Sequence, residues 1–218
     1  MLFRSLPDNS RHPLEVRLEI VSGEGDYRIC SRPADASGDA TWSKHSSGRI
    51  NTAHDRFEKS SLSLAEIRDH FVDVEPMSVD TFYETIRSAG LDYGERFRCI
   101  QQLWHHNHEM LARLELPAEL IHESQRNAIH PALLDACLHV VFADVHRSDE
   151  PRRLFLPYRI DRVRFYRRPT ETVWSSVRVT HSDEQLLILD TAMFDESGEL
   201  VAEMQGLACR AAGTQRYS

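Results

Sequence analysis

The chain has 218 residues, 41% of them hydrophobic, and a formal net charge of −8, which is long enough to bury a sizeable core in one domain or two small ones. The acidic balance argues against a general nucleic-acid binder, which normally presents a basic surface. No apolar run approaches the roughly 20 residues that span a bilayer, and Met1 to Ser5 are not followed by a signal-peptide core, so no membrane association and a cytoplasmic location are the default expectations. The four cysteines, Cys30, Cys99, Cys137 and Cys209, match no paired CxxC pattern; buried thiols are expected rather than a zinc site or a disulfide framework.

Leu14 to Val21 alternates apolar and charged residues over eight positions, the pattern of a strand with one wet face. Gly23 to Gly25 turns it, and Tyr27 to Ser31 reads as the returning strand. Pro33 to Ala40 reads as a loop and Trp42 to Ile50 as a third strand, with His45 expected to be an exposed strand residue. Residues 51–63 are polar and without a period, so a boundary near residue 60 is expected there. Ser63 to Glu66 has the capping-box form for a short helix through His70. Ser78 starts a second helix, docked by Phe82, Tyr83 and Ile86 and ended by Gly90.

Next stand Tyr93, Gly94 and Phe97, where the glycine allows a turn or a close backbone approach. Phe97 to Trp104 and Glu109 to Leu116 read as a hairpin with His105 to His108 at its tip. Three histidines in four residues invite a metal hypothesis. Adjacent strand residues point to opposite faces, however, and no acid or cysteine is placed to complete a shell, so a solvated turn is the expectation and no metal site is assigned.

His130 to Val145 reads as a helix, with Pro131 in the first turn where its missing N–H is no loss. Leu134, Cys137, Leu138, Val141, Phe142 and Val145 form one apolar stripe, and Asp135 and His139 lie one turn apart at its edge. Two readings of Asp135 are open at this point. Apolar neighbours would disfavour its charged form and keep a proton available for general acid chemistry, whereas a plain position near a helix N-terminus would favour the carboxylate. Periodicity alone favours the second.

Leu154 to Tyr166, Thr172 to Thr180, Gln185 to Phe194 and Glu199 to Arg210 are four further strand candidates separated by turn-rich segments. Seven arginines fall between Arg152 and Arg168. They could steer an acidic partner or a phosphate, but such charges more often coat a wet sheet face.

Three blocks, LDYGERFRCI at 91–100, HPALLDACLH at 130–139 and LPYRIDRVRFY at 156–166, together resemble the dehydratase domain of modular type I polyketide synthases, over about Leu2 to Arg210. The W-x-x-H-x-x-G pattern at Trp42, His45 and Gly48 is similar to that family's first half. The resemblance implies an α+β fold of the double-hotdog type, in which antiparallel sheets wrap central helices and 130–145 is the second such helix. It divides the chain into 1–60 as a remnant of the first hotdog with linker, 61–212 as the second hotdog, and 213–218 as a tail. Glu95 stands where the family usually has proline.

The family removes water from a β-hydroxyacyl thioester, taking an α proton with a base and giving a proton to the departing hydroxyl. By resemblance Asp135 is the acid and His139 its orienting partner, while Tyr93, Gly94, Phe97, His130, Pro131, Leu134 and Pro157 line the substrate site. No cofactor is implied beyond the phosphopantetheine of an acyl carrier protein that carries the substrate. The implied partners are that carrier protein and other polyketide synthase domains; the oligomeric state, a homodimer included, is open. The family's base is a histidine in an HxxxGxxxxP motif, and none of the twelve histidines here has glycine four positions later. His12 precedes proline but lacks the motif. Isomerisation or oxa-Michael cyclisation on the same fold, and a non-catalytic binding or scaffold domain, are the alternatives.

Overall fold

The computed structural model describes residues 2–3, 13–21, 25–36, 41–51, 61–145 and 154–211. The strands are β1 (Leu2–Phe3), β2 (Leu14–Ile20), β3 (Asp26–Pro33), β4 (Ser43–Arg49), β5 (Ile100–His106), β6 (Glu109–Glu115), β7 (Phe155–Phe165), β8 (Thr172–Ser182), β9 (Leu186–Asp195) and β10 (Leu200–Ala211). They form one sheet in the order β2-β3-β4-β1-β7-β10-β9-β8-β6-β5, antiparallel at every junction. The helices are α1 (Leu64–Asp69), α2 (Val79–Ser88), α3 (Ile121–Ser124), α4 (Pro131–His139) and α5 (Phe142–Val145).

Alternation along the strands separates two apolar layers. Met110, Ala112, Val173, Val177 and Met193 join α2 and α4 in the main core. Their neighbours Leu111, Trp174, Ala192 and Phe194 face the other way and pack under Leu64 and Phe71. This arrangement of a helix cupped by a curved antiparallel sheet is the expected α+β hotdog. Ser63 and Ser78 cap α1 and α2 through bonds from the backbone N–H of Glu66 and Thr81, and Gly90 after α2 takes φ 103°, a value that only glycine adopts without strain. Phe82, Tyr83 and Ile86 are buried as expected.

The helix expected over 130–145 is broken. Val140 and Val141, β-branched and weak helix formers, form the turn between α4 and α5. Its buried face also differs from the expected stripe: Ala132, Leu133, Ala136, Cys137, His139 and Val140 are buried, whereas Leu134 is 36% exposed. A helix that is apolar on most sides has little periodicity from which to choose a face.

The first-half sheet is covered differently. Val16, Leu18 and Ile20 share one face of β2 with their partners Ser31, Ile29 and Tyr27 and are 55%, 60% and 60% exposed. That face was expected to be dry. His45 corrects a second expectation: it is the extra residue of a bulge, since Cys30 pairs with Lys44 and Ile29 with Ser46. The bulge turns its ring inward, where it is buried and bonded to Ser31 Oγ at 2.7 Å. His12, the boundary near residue 60 and the tail after 212 lie outside the described residues.

Candidate active site

Proline at the first position of α4 and the ring of His130 before it begin the helix. His130 Nδ1 accepts from the Ala132 N–H at 3.2 Å, so its own proton sits on Nε2. One turn further on, Asp135 and His139 meet at i and i+4, His139 Nε2 lying 2.9 Å from Asp135 Oδ2. The imidazole is 1% exposed and the carboxylate 40% exposed. Of the two readings of Asp135, the apolar-packed one is met only in part: one oxygen is taken by His139, and the group looks outward at the edge of the core.

Two tyrosines wall this pair. The Tyr93 ring lies on His139 with centroids 3.7 Å apart, and Tyr83 from α2 meets it edge-on at 6.5 Å. Burial, and then the charge of Asp135, push the Tyr93 phenol well above its ordinary range; burial does the same for Tyr83. Both stay protonated and can donate. Beneath them burial pushes the Cys99 thiol up to about 11, with Asp135 adding to the effect. Cys99 Sγ donates to Ala132 O at 3.6 Å.

His139 Nδ1 is buried with no hydrogen-bond partner among the described residues. With the proton on Nε2, His139 donates to Asp135 Oδ2 and leaves only a lone pair on Nδ1, an arrangement open to Asp135 whether or not its other oxygen holds a proton. Asp135 Oδ2 then accepts from His139 and Oδ1 is the oxygen left for chemistry.

The other expected residues spread around α4. Leu134 lines a cavity of about 260 Å³ with Cys137, Val163, Phe165, Met193 and Met204. His130 lies in a separate cleft with Leu133, Gln125 and Arg168. Pro131 is exposed at the helix start, and Phe97 is 42% exposed in a short 3-10 turn rather than in a strand. Gly94 does not need to be glycine for backbone reasons: its φ is −68° and a Cβ there would meet nothing within 4 Å. Pro157 sits on β7 opposite Cys209 and is not among the residues that line the cavity.

A model of the polyketide synthase dehydratase N-terminal domain matches residues 68–217. The chain belongs to the polyketide synthase dehydratase family. This dehydratase-type domain is 30% identical over 193 residues, 87% of its length, to polyketide synthase GfsB of Streptomyces halstedii, and 27% identical over 181 residues, 80% of its length, to polyketide synthase PksM of Bacillus subtilis (strain 168). It spans only 3% and 4% of those two proteins. Among solved structures it is similar to GphF Dehydratase 1, with TM-score 0.80, 28% identity and coverage of 97% of this chain and 74% of that one. The dehydratase domain from the CurJ module of curacin polyketide synthase shares the fold at TM-score 0.78, with 22% identity and coverage of 97% and 73%.

One feature of this dehydratase domain differs from the sequence reading. The hairpin tip is only Asn107 and His108, Asn107 having φ 53°. His105 falls in β5, points inward and meets Asp144 of α5 at 2.8 Å, while His108 meets the same carboxylate at 3.3 Å. The solvated-turn reading fails for His105 because strand alternation buries every second residue; among the described residues no cluster fit to hold a metal is present. The arginines after Leu154 lie mostly on the wet face of β7 and just beyond it, as expected, and four of them have partners. Arg159 pairs with Asp161, Arg164 with Glu203, Arg167 with Asp195 and Glu199, and Arg168 donates to Gln125 O.

Proposed function

We propose that this domain acts on a β-hydroxyacyl thioester carried on the phosphopantetheine of an acyl carrier protein, with Asp135 as general acid and His139 as its orienting partner. The observation that carries the reading is the Asp135–His139 bond under the Tyr93 ring. With Oδ2 occupied by His139, a proton on Oδ1 is presented outward to the β-hydroxyl. A base removes the α proton, the C–H electrons form the α,β double bond, the C–O bond breaks, and the oxygen leaves as water carrying the Asp135 proton. Tyr93, kept as a phenol, can donate to a substrate oxygen.

The base is proposed to come from polypeptide beyond these 218 residues, because no histidine here carries the HxxxGxxxxP pattern. The uncovered Val16, Leu18 and Ile20 face supports this, since exposed apolar strand faces are normally packed. Carrier protein and neighbouring synthase domains are the proposed partners.

The test is product analysis with a carrier-bound 3-hydroxyacyl substrate, with and without a histidine-bearing first hotdog half from a related dehydratase added in trans. The expected result is an enoyl thioester formed only with the added half and lost in Asp135→Asn. A ring or shifted alkene without net loss of water would overturn dehydration, and unchanged turnover in Asp135→Asn would remove Asp135 from its role.

A further inference from the structure

We propose that Arg98 is a positioning residue that holds the Tyr93 ring against His139, and through it sets the acid half-site. The segment between Tyr93 and Arg98 is a tight 3-10 turn closed by Phe97 N–H to Gly94 O at 2.9 Å and Arg98 N–H to Glu95 O at 3.1 Å. From the far side of that turn the Arg98 side chain folds back, and its Nε donates to Tyr93 O at 2.8 Å. The same guanidinium lies over the Tyr83 ring, Cζ 5.4 Å from the centroid, within reach of a cation–π attraction. Tyr83 is itself fixed, since its hydroxyl accepts from the Ile100 N–H at 3.4 Å.

One planar cation thus joins the two tyrosines that wall His139: it pins the backbone of one and sits on the face of the other. Tyr93 reaches its 3.7 Å contact from the irregular stretch just before the 3-10 turn rather than from a helix or strand, so its ring has no regular-element backbone to set its place. An in-plane N–H combined with a π face suits this double task, and a lysine ammonium can meet only one half of it. Arg98 is exposed, so its removal leaves the core volume unchanged.

The effect on turnover rests on the acid half-site reading, but the ring contact does not, and the experiment keeps them apart. His139 ring protons are followed by NMR in the 218-residue chain, in Arg98→Met, in Arg98→Lys, and in Tyr93→Leu as the unstacked reference. The expected result is that Arg98→Met moves the His139 resonances most of the way to the Tyr93→Leu positions, with Arg98→Lys intermediate and the thermal midpoint of all Arg98 variants close to the parent. His139 signals in Arg98→Met that superpose on the parent would overturn the proposal, whatever the turnover assay gives. In an active preparation Arg98→Met should lower kcat by about tenfold with KM little changed.

Discussion

His139 and Asp135 bond at 2.9 Å across one turn of α4 while their exposures are opposite, 1% for the imidazole and 40% for the carboxylate. The ring is fully buried, with Nδ1 unpartnered among the described residues, whereas Asp135, the proposed acid, is the member of the pair open to substrate or water. Asp135→Asn keeps the shape and the bond but cannot deliver a proton. Turnover of the completed dehydratase should fall by about 10²–10⁴-fold, with the urea midpoint nearly unchanged. His139→Gln, which retains a donor at similar reach, should lose less than His139→Leu; equal losses would mean that orientation of Asp135 is not the role of His139.

Tyr93 separates a packing role from a donor role. Tyr93→Phe keeps the ring over His139 and removes only the hydroxyl. If that hydroxyl donates to substrate, kcat/KM should fall by about tenfold, the worth of one hydrogen bond of about 1.4 kcal/mol. The His139 NMR signals should stay in place. Movement of those signals in Tyr93→Phe would show that the phenol, rather than the ring, organises the site.

How much of this was legible in the sequence depended on whether a residue's neighbours lay close along the chain. The four C-terminal strands and α2 came out within a few residues because alternation, serine caps and glycine ends are local signals. The Asp135–His139 pair was legible for the same reason, being an i, i+4 contact. The face of α4 was not, because its apolar residues surround it and the sheet chooses among them. His45 was missed because a bulge reverses the side to which a strand residue points, and His105 because its partner Asp144 is 39 residues away. The Tyr93–His139 stack and its Arg98 support join segments whose approach no local pattern encodes.

All four cysteines are buried and unpaired, as the absence of CxxC spacing suggested, and burial pushes Cys137 and Cys209 up to about 12. With Cys99 at about 11, thiolate at neutral pH is scarce and sterically shielded. A thiol reagent at pH 8 should label the native domain slowly, and all four positions should react together once urea unfolds it. Fast labelling of Cys99 in the native state would show that the ground beneath Asp135 opens more readily than its packing implies.

Gly206 adopts φ 63° in the bulge where β10 passes β9. Its N–H donates to Asp190 Oδ1 at 2.8 Å, and a Cβ would run into the Asp161 carboxylate. Gly206→Ala should cost about 1–3 kcal/mol through backbone strain and that collision together. Asp161→Ala alone should change little, because its pairing with Arg159 is exposed. The double variant should recover the steric part only; full recovery would mean that the left-handed backbone carries no cost here.

Asp144 ties α5 to the β5–β6 hairpin through His105 and His108. Burial raises its carboxyl pKa, but the bonds from the two histidines and their charges outweigh burial and hold it below the ordinary carboxylate range. A group whose folded pKa is depressed contributes stability above its unfolded value, near about 3.9, and loses that contribution as pH falls through the folded pKa. Asp144→Asn should therefore be less stable than the parent by about 1–3 kcal/mol at pH 7, and the two urea midpoints should converge as pH drops below about 4. Because α5 follows the break at Val140 and Val141, the loss should appear first as faster hydrogen exchange in residues 140–145, with α4 still protected. A gap between parent and variant that stays constant from pH 7 to pH 3 would show that the carboxylate charge contributes nothing to the clasp.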